Sequence, residues 1–205
     1  MESMTQHIYS IGHSTHDFGY FARLLTSHGI TAVADVRSAP FSRFNPQFNR
    51  DSLIDGLRSI GVRYVFLGKE LGARSEDPSC YEHGRVQYRR LAATAGFRSG
   101  IQRLMRGASE QKIALMCAEK EPLDCHRTIL VAHELSALGV GVRNILGDGT
   151  VEEHEATMLR LLRLLKMPEV DLFRSREELL TEALARQEAK IAYSTTRTTD
   201  VGDRE

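Results

Sequence analysis

Only three of the 205 residues are cysteine, and the formal net charge of the chain is zero. Three cysteines, an odd number, do not form the disulfide framework of a secreted scaffold, so we expect reduced thiols and a cytoplasmic location. No apolar run approaches the roughly 20 residues that span a bilayer. The first residues also lack the basic start and apolar stretch of a signal peptide. We therefore expect neither secretion nor membrane association.

Three signature motifs are absent as well. The turn that begins at Gly12 lacks the further glycines of a dinucleotide-binding fingerprint. A cysteine phosphatase loop needs Arg at the sixth residue after its Cys, whereas Leu123 follows Cys117 and Val131 follows Cys125 at that distance. The short cysteine loop of rhodaneses is not evident either. The absence of these motifs argues against a dinucleotide-binding protein, a cysteine phosphatase and a rhodanese.

The composition is that of an ordinary globular protein, with 41% hydrophobic and 26% charged residues. The chain is long enough to bury a sufficient core without disulfides or a structural metal. We expect one α/β domain over 7–170, a helical extension over 171–193 and a disordered tail over 194–205.

Short apolar runs alternate with helical patterns along the domain. This order predicts a three-layer α/β/α fold with a mostly parallel sheet of about five strands, similar to a Rossmann fold. Ser14 or Thr15 is the expected cap of the first helix, and Thr150 to Glu153 reads as a capping box that opens another. Residues 68–86 are polar and rich in turn formers, which predicts a long loop.

In a parallel sheet the ligand site lies beyond the carboxyl ends of the strands. His13, Asp35 and Cys117 each stand at the end of a predicted strand, and Cys125 opens the helix after the last of these. We therefore expect one site at this edge. The candidate catalytic residues are Cys125, Cys117, His13, Asp35 and Glu119. The candidate anion-binding residues are Arg37, Arg127, His126, Ser14 and Arg43.

Cys125 is the first candidate nucleophile, because a helix N-terminus and neighbouring positive charge lower the pKa of a thiol. Cys117 leaves a strand and approaches Cys125 across the intervening loop. The pair fits either a nucleophile with a resolving partner or two metal ligands. In the second case His126 or His13 completes a set for Zn or Fe, although the spacing is wider than in structural zinc motifs.

Positive charge is concentrated in the middle of the chain. Residues 37–106 contain twelve Arg and one Lys against six acidic residues, a pattern that attracts phosphate or nucleic acid. The alternative is a solvated surface in which arginines cover apolar groups. A nucleic-acid-associated module is the weakest of the functions considered, because the net charge of the whole chain is zero.

Four segments together resemble the bacterial and archaeal family of domain of unknown function 488. They are Ser10 to Ser14, Asp35 to Arg43, Tyr64 to Gly72, and the Cys117-Ala-Glu run with Cys125-His-Arg. Ala73 departs from this pattern, where a second glycine is expected. The resemblance supports a fold and a site but implies no reaction.

From the residues we expect an enzyme, a cysteine-dependent transferase or hydrolase. It acts on a small anionic or nucleotide-like substrate. A metal-binding protein is the alternative.

Overall fold

The apolar runs that predict strands pair in a single six-stranded sheet. The computed structural model describes residues 7–195. Its strands are β1 His7–Gly12, β2 Ala32–Asp35, β3 Arg63–Phe66, β4 Tyr81–Glu82, β5 Arg85–Val86, β6 Ile113–Cys117, β7 Gly141–Ile145 and β8 Val151–Glu153. The short strands β4 and β5 form a separate hairpin.

The order of the main sheet is β3-β2-β6-β1-β7-β8, and all pairs are parallel except β7 with β8. Every residue of β2 and β6 is buried, as expected for parallel strands that are covered on both faces. The sheet therefore confirms the predicted three-layer α/β/α fold and has one more strand than the five expected.

Helices cover both faces of this sheet. They are α1 Phe18–Ser27, α2 Arg50–Ser59, α3 Gly68–Leu71, α4 Tyr88–Ala92, α5 Ala95–Ala108, α6 His133–Ala137, α7 His154–Leu164 and α8 Arg176–Ile191. On one face, Phe21 of α1 and Leu57 of α2 share a buried cluster with Val33 and Met116 of the sheet. Helices α5 to α8 contribute to a second cluster on the opposite face.

Two predicted helix starts are wrong. The carboxylate of Asp17, rather than Ser14 or Thr15, caps α1 by accepting a hydrogen bond from the Tyr20 amide. Thr150 does not open a helix, because its amide and hydroxyl both donate to Asp148 in the turn between β7 and β8. The residues after it form the antiparallel edge strand β8, and α7 begins only at His154.

The segment 68–86 is more ordered than the predicted loop. It contains α3, a 3₁₀ turn at Pro78–Cys80 and the β4–β5 hairpin. Cys80 is fully buried in the main core. This buried side chain anchors the otherwise polar segment to the rest of the domain.

The predicted helical extension contains α8, which has a capping box formed by Ser175 and Glu178. Its buried residues Leu179, Ala183 and Leu184 belong to the same core cluster as the sheet. Of the predicted disordered tail, Ser194 pairs with Arg85, and residues 196–205 lie outside the described part of the chain. Among the described helices, none has the length and apolar character to cross a membrane.

Candidate functional site

The carboxyl ends of β1, β2 and β6 meet at one edge, because these strands are parallel neighbours. Gly12 is in register with Cys117, and the amide of His13 donates to the Cys117 carbonyl at 2.9 Å. Asp35 is in register with Met116. The predicted strand-end residues therefore do come together, and each has a distinct set of partners.

Asp35 and Arg37 form a buried ion pair. The carboxylate accepts four hydrogen bonds, from the Arg37 amide, Nε and Nη2 and from the Tyr64 hydroxyl. Burial, followed by the negative charge of Asp35 and the hydrogen bond to it, raises the pKa of Tyr64. With its acceptor positions occupied, Asp35 has the geometry of a positioning residue, and its predicted role as a base stays a prediction.

Arg37 is held by its other contacts as well. Nη2 also donates to the Phe48 carbonyl at 2.9 Å, and Nη1 lies 3.2 Å from Nε2 of His13. One N–H of Nη1 has no acceptor within residues 7–195, so Arg37 keeps a single donor for a ligand.

His13 is a neutral imidazole locked between two partners. A guanidinium can only donate, so Nε2 accepts from Arg37, and Nδ1–H donates to the Ser14 carbonyl at 2.8 Å. Burial is the main cause that lowers the pKa of His13 to about 4. The ring stacks on Phe48 with centroids 4.2 Å apart. These contacts place His13 behind the site and fix Arg37.

Cys117, Cys125 and His126 form a buried cluster. Their ligand atoms all lie within 4.8 Å of one another, and Nδ1 of His126 is 3.7 Å from Sγ of Cys117 and 3.9 Å from Sγ of Cys125. Nε2–H of His126 donates to the Val36 carbonyl at 3.1 Å. That bond leaves Nδ1 directed at the two sulfurs. His13, the other proposed histidine ligand, is not in this cluster.

The two sulfurs have opposite tendencies to ionise. Burial acts to raise the pKa of Cys125, but the hydrogen bond from Cys117 and the charges of Arg127 and His126 outweigh it and hold that pKa well below its usual value. The hydrogen bond to Cys125, together with burial, raises the pKa of Cys117. Of the two thiols, Cys125 is therefore the one that loses its proton more readily.

Glu119 lies beside this pair. Its Oε2 is 3.0 Å from Sγ of Cys125, a hydrogen-bond distance. Burial and then the negative charge of Cys125 raise the pKa of Glu119. In this geometry the Cys125 thiol donates to the carboxylate, and the raised pKa of Glu119 together with the lowered pKa of Cys125 favours transfer of that proton to the carboxyl.

Arg127 is fully buried and acts from behind the cluster. Its guanidinium donates to the Ser10 hydroxyl and to the Glu119 carbonyl, at 3.0 and 2.7 Å. Gly12 permits this arrangement, since a Cβ there would meet the Glu119 carbonyl oxygen at 1.9 Å. Arg127 thus supplies charge to Cys125 and holds the loop after β6, while its predicted contact with a ligand stays a prediction.

The cluster opens into a pocket of about 350 Å³. Cys117 and His126 line it, whereas Cys125 lies behind them and is 1% exposed. The lining also includes residues outside the candidate set given above, namely Ser38, Phe41, Arg74, Asp124, Ile191 and Tyr193. Two of these belong to the end of α8 and the segment after it, so the pocket is built from parts of the chain that are distant in sequence.

Ser14 and Arg43, both predicted to bind anions, lie elsewhere. Ser14 adopts a left-handed conformation with φ of 52°, and its amide donates to the Ala118 carbonyl. Arg43 is exposed beside the ring of Phe44. Neither residue lines the pocket, and their anion-binding roles stay predictions.

Many arginines of the basic segment 37–106 have acidic partners in the chain. Arg58 pairs with Asp55, Arg90 with Glu82, and Arg103 with Glu70. These pairs reduce the positive field that would attract nucleic acid, whose binding stays a prediction.

Comparison with known proteins identifies the family of this chain. Searches of curated proteins and of solved structures found no match. The model of the family described as "Domain of unknown function DUF488" matches residues 18–133, which include β2, β6 and the Cys117/Cys125/His126 cluster. The match covers more than half of the chain, and the protein therefore belongs to the DUF488 family.

Proposed function

We propose that the protein is an enzyme, a transferase or hydrolase, that uses the Cys117–Cys125 pair to attack a small anionic substrate. The observation that carries this proposal is a pair of buried sulfurs beside a pocket: Cys117 lines the pocket, Cys125 lies behind it, and Nδ1 of His126 is 3.7 and 3.9 Å from their Sγ atoms. The lowered pKa of Cys125 favours the ionised form of the inner sulfur. Buried negative charge is costly, and a thiolate is the reactive form of cysteine.

Cys117 is the attacking sulfur in this mechanism, because it lines the pocket and Cys125 does not. The proton of Cys117 moves to Cys125, which brings the negative charge to the sulfur that faces the substrate. The remaining N–H of Arg37 donates to the anionic group of the substrate and orients it.

Sulfur then forms a bond to the electrophilic centre, and the leaving group departs with the bonding electrons. Glu119, which the raised pKa keeps protonated to higher pH than usual, gives its proton to that group. Water or a second substrate afterwards cleaves the bond to sulfur, and Cys117 and Glu119 recover their protons.

Alkylation with iodoacetamide tests this proposal, with the modified residue identified by mass spectrometry. We expect Cys117 to react faster than glutathione at neutral pH and to slow when Cys125→Ser removes the partner that takes its proton. Cys80→Ser is the matched control, since Cys80 is buried in the core outside the cluster. If neither Cys117 nor Cys125 reacts faster than glutathione, the mechanism is wrong.

The cluster geometry favours a second candidate, a metal centre for Zn or Fe. In a tetrahedral zinc site, usual bond lengths put sulfur and nitrogen ligands roughly 3.6 Å apart. The observed separations are 3.7 and 3.9 Å. Metal-bound histidines also commonly donate their second N–H to a carbonyl, as His126 does to Val36.

Elemental analysis of protein purified without chelators tests the metal candidate. We expect close to one equivalent of Zn or Fe in the wild type and in Cys80→Ser, and loss of the metal in Cys117→Ser and His126→Ala. Substitution with Co²⁺ gives a second readout, because thiolate ligands produce intense ultraviolet absorption. Metal well below one equivalent in the wild type, with no Co²⁺ signal, rejects this candidate.

A further inference from the structure

Arg74 stands at the mouth of the Cys117 pocket with its donors unused. Its guanidinium carbon lies 4.6 Å from the centroid of the Tyr193 ring. Within residues 7–195, no carboxylate or carbonyl accepts a hydrogen bond from this guanidinium. The Arg74 amide donates to Ser38 Oγ at 3.0 Å, which fixes where the side chain begins. The result is a planar cation that is held in place and still open to a ligand.

Tyr193 lies in the segment after α8, and backbone hydrogen bonds of this segment fix the position of its ring. The Tyr193 carbonyl accepts from the Val86 amide at 3.0 Å, and the Thr195 amide donates to the Gly84 carbonyl at 2.8 Å. Ser194 pairs antiparallel with Arg85. Residues 193–195 therefore extend the β4–β5 hairpin, and this added edge presents the tyrosine to the pocket.

The helix before this segment is also fixed to the site. Nε2 of Gln187 donates to the Leu123 carbonyl at 2.9 Å, in the turn that precedes Cys125. Glu188 accepts from the Tyr88 amide at 2.7 Å. The end of α8 is thus bonded to the loop before Cys125 and to α4, and the residues after it are bonded to the hairpin.

The two cations of the pocket differ in what they can offer. Arg37 has one N–H left after its contacts with Asp35, Phe48 and His13, whereas Arg74 has all five. A guanidinium fork matches two oxygens of a carboxylate or phosphate, and stacking on an aromatic face keeps it oriented. Arg74 is therefore the stronger anion ligand.

We propose that Arg74, oriented by the ring of Tyr193, is the specificity-determining residue that binds the carboxylate or phosphate of the substrate beside Cys117. This inference rests on the proposed function for the reactive sulfur, and it deepens that function by naming the oxyanion and the residue that selects it. Tyr193 lies outside residues 18–133 that match the family, so this chain supplies the selecting wall from its own C-terminal part.

Two alkylating reagents of nearly equal size test the inference, since iodoacetate carries a carboxylate and iodoacetamide does not. We expect the iodoacetate-to-iodoacetamide rate ratio at Cys117 to exceed that of glutathione by roughly tenfold, the effect of one charge-assisted hydrogen bond. The ratio cancels any factor that slows both reagents alike. Arg74→Met should return it to the glutathione value, Arg74→Lys should keep part of it, and Tyr193→Leu should lower it.

Arg98→Met is the matched control, because it removes an exposed arginine of α5 that does not line the pocket. Calorimetric titration with inorganic phosphate gives a second readout that needs no reactive sulfur. We expect phosphate binding to weaken at least roughly tenfold in Arg74→Met and to stay unchanged in Arg98→Met.

The outcomes separate the two proposals. Equal rate ratios in the wild type and Arg74→Met, together with phosphate binding that is equal in both or absent from both, overturn the inference and leave the reactive cysteine intact. Phosphate binding that depends on Arg74, with no reaction at either cysteine, supports the anion site and rejects the cysteine mechanism.

Discussion

Replacing Asp35 by Asn should destabilise the fold far more than the same change in an exposed ion pair. The Asp35 carboxylate is 0% exposed, and its Oδ2 lies 2.7 Å from Nη2 of Arg37. At an effective dielectric constant near 20, two unit charges at that distance attract by about 6 kcal/mol. The substitution removes this attraction and leaves the Arg37 guanidinium buried without a counter-charge.

The net cost is smaller than the gross attraction, because burying both charges has already removed them from water. Breaking a buried pair by losing one partner typically costs about 3–5 kcal/mol. The Asp55–Arg58 pair is the internal control, since both of its side chains are 74% exposed at a distance of 3.0 Å. Such pairs contribute about 0.2–1 kcal/mol, so Asp55→Asn should have little effect.

Urea unfolding of both variants, followed by circular dichroism, measures the difference. With an m-value near the upper end of about 1–3 kcal/mol/M, Asp35→Asn should lower the midpoint by roughly 1–2 M. Tyr64→Phe removes one of the four hydrogen bonds and should cost about 1–2 kcal/mol. Equal midpoints for Asp35→Asn and Asp55→Asn would refute the positioning role that we assign to Asp35.

Three further outcomes follow from the same edge of the sheet. Gly12→Ala should destabilise the protein by about 1–3 kcal/mol in urea unfolding and slow Cys117 alkylation, because the new Cβ collides with the Glu119 carbonyl; an unchanged midpoint contradicts the close approach. The folded-state pKa of His13, about 4, lies below its unfolded value, so the unfolded state binds more protons. The free energy of unfolding should therefore fall as the pH drops from about 6.5 to 4. In His13→Gln this dependence on pH should be weaker. Arg127→Met should raise the pH at which the thiolate absorbance of the cysteine pair appears, and an unmoved titration rules out a charge effect of Arg127.

The parallel sheet was predictable because its inner strands β2 and β6 are buried on both faces. A strand that is covered on both faces has apolar residues at nearly every position, as β2 and β6 do. A strand or helix at the surface instead alternates apolar with polar residues. The polar residues after the buried strands must lie at one edge, which is why His13, Asp35 and Cys117 could be placed together from the sequence. Their individual roles could not, since these depend on which hydrogen-bond partners each side chain meets.

The two wrong helix starts have a local cause. Thr150 and Glu153 have the spacing of a capping box, but Asp148 takes both donors of Thr150 in the preceding turn. Asp17 competes in the same way with Ser14 and Thr15 at α1. Each residue is a good cap by type, and the choice among neighbouring candidates depends on backbone geometry that residue type does not determine.

The arginines of the site show the limit of motif reasoning. Arg127 directly follows Cys125-His126 and reads as an anion ligand, yet it is buried in the irregular helix Arg127–Ala132 and bonds to the chain itself. Arg74 and Tyr193 are separated by more than one hundred residues and meet only in the folded protein. Nothing in either local sequence indicates that contact.

The interior position of β1 constrains the order in which the sheet can assemble. Its partners are β6 and β7, with Tyr9 opposite Ala114 and Ile8 opposite Val142, so within residues 7–195 this strand pairs only with strands made more than one hundred residues later. Closing loops of that length precedes any gain from pairing, which slows folding. Until then β1 keeps apolar side chains and unpaired backbone groups exposed, which makes this strand a point of aggregation risk during synthesis.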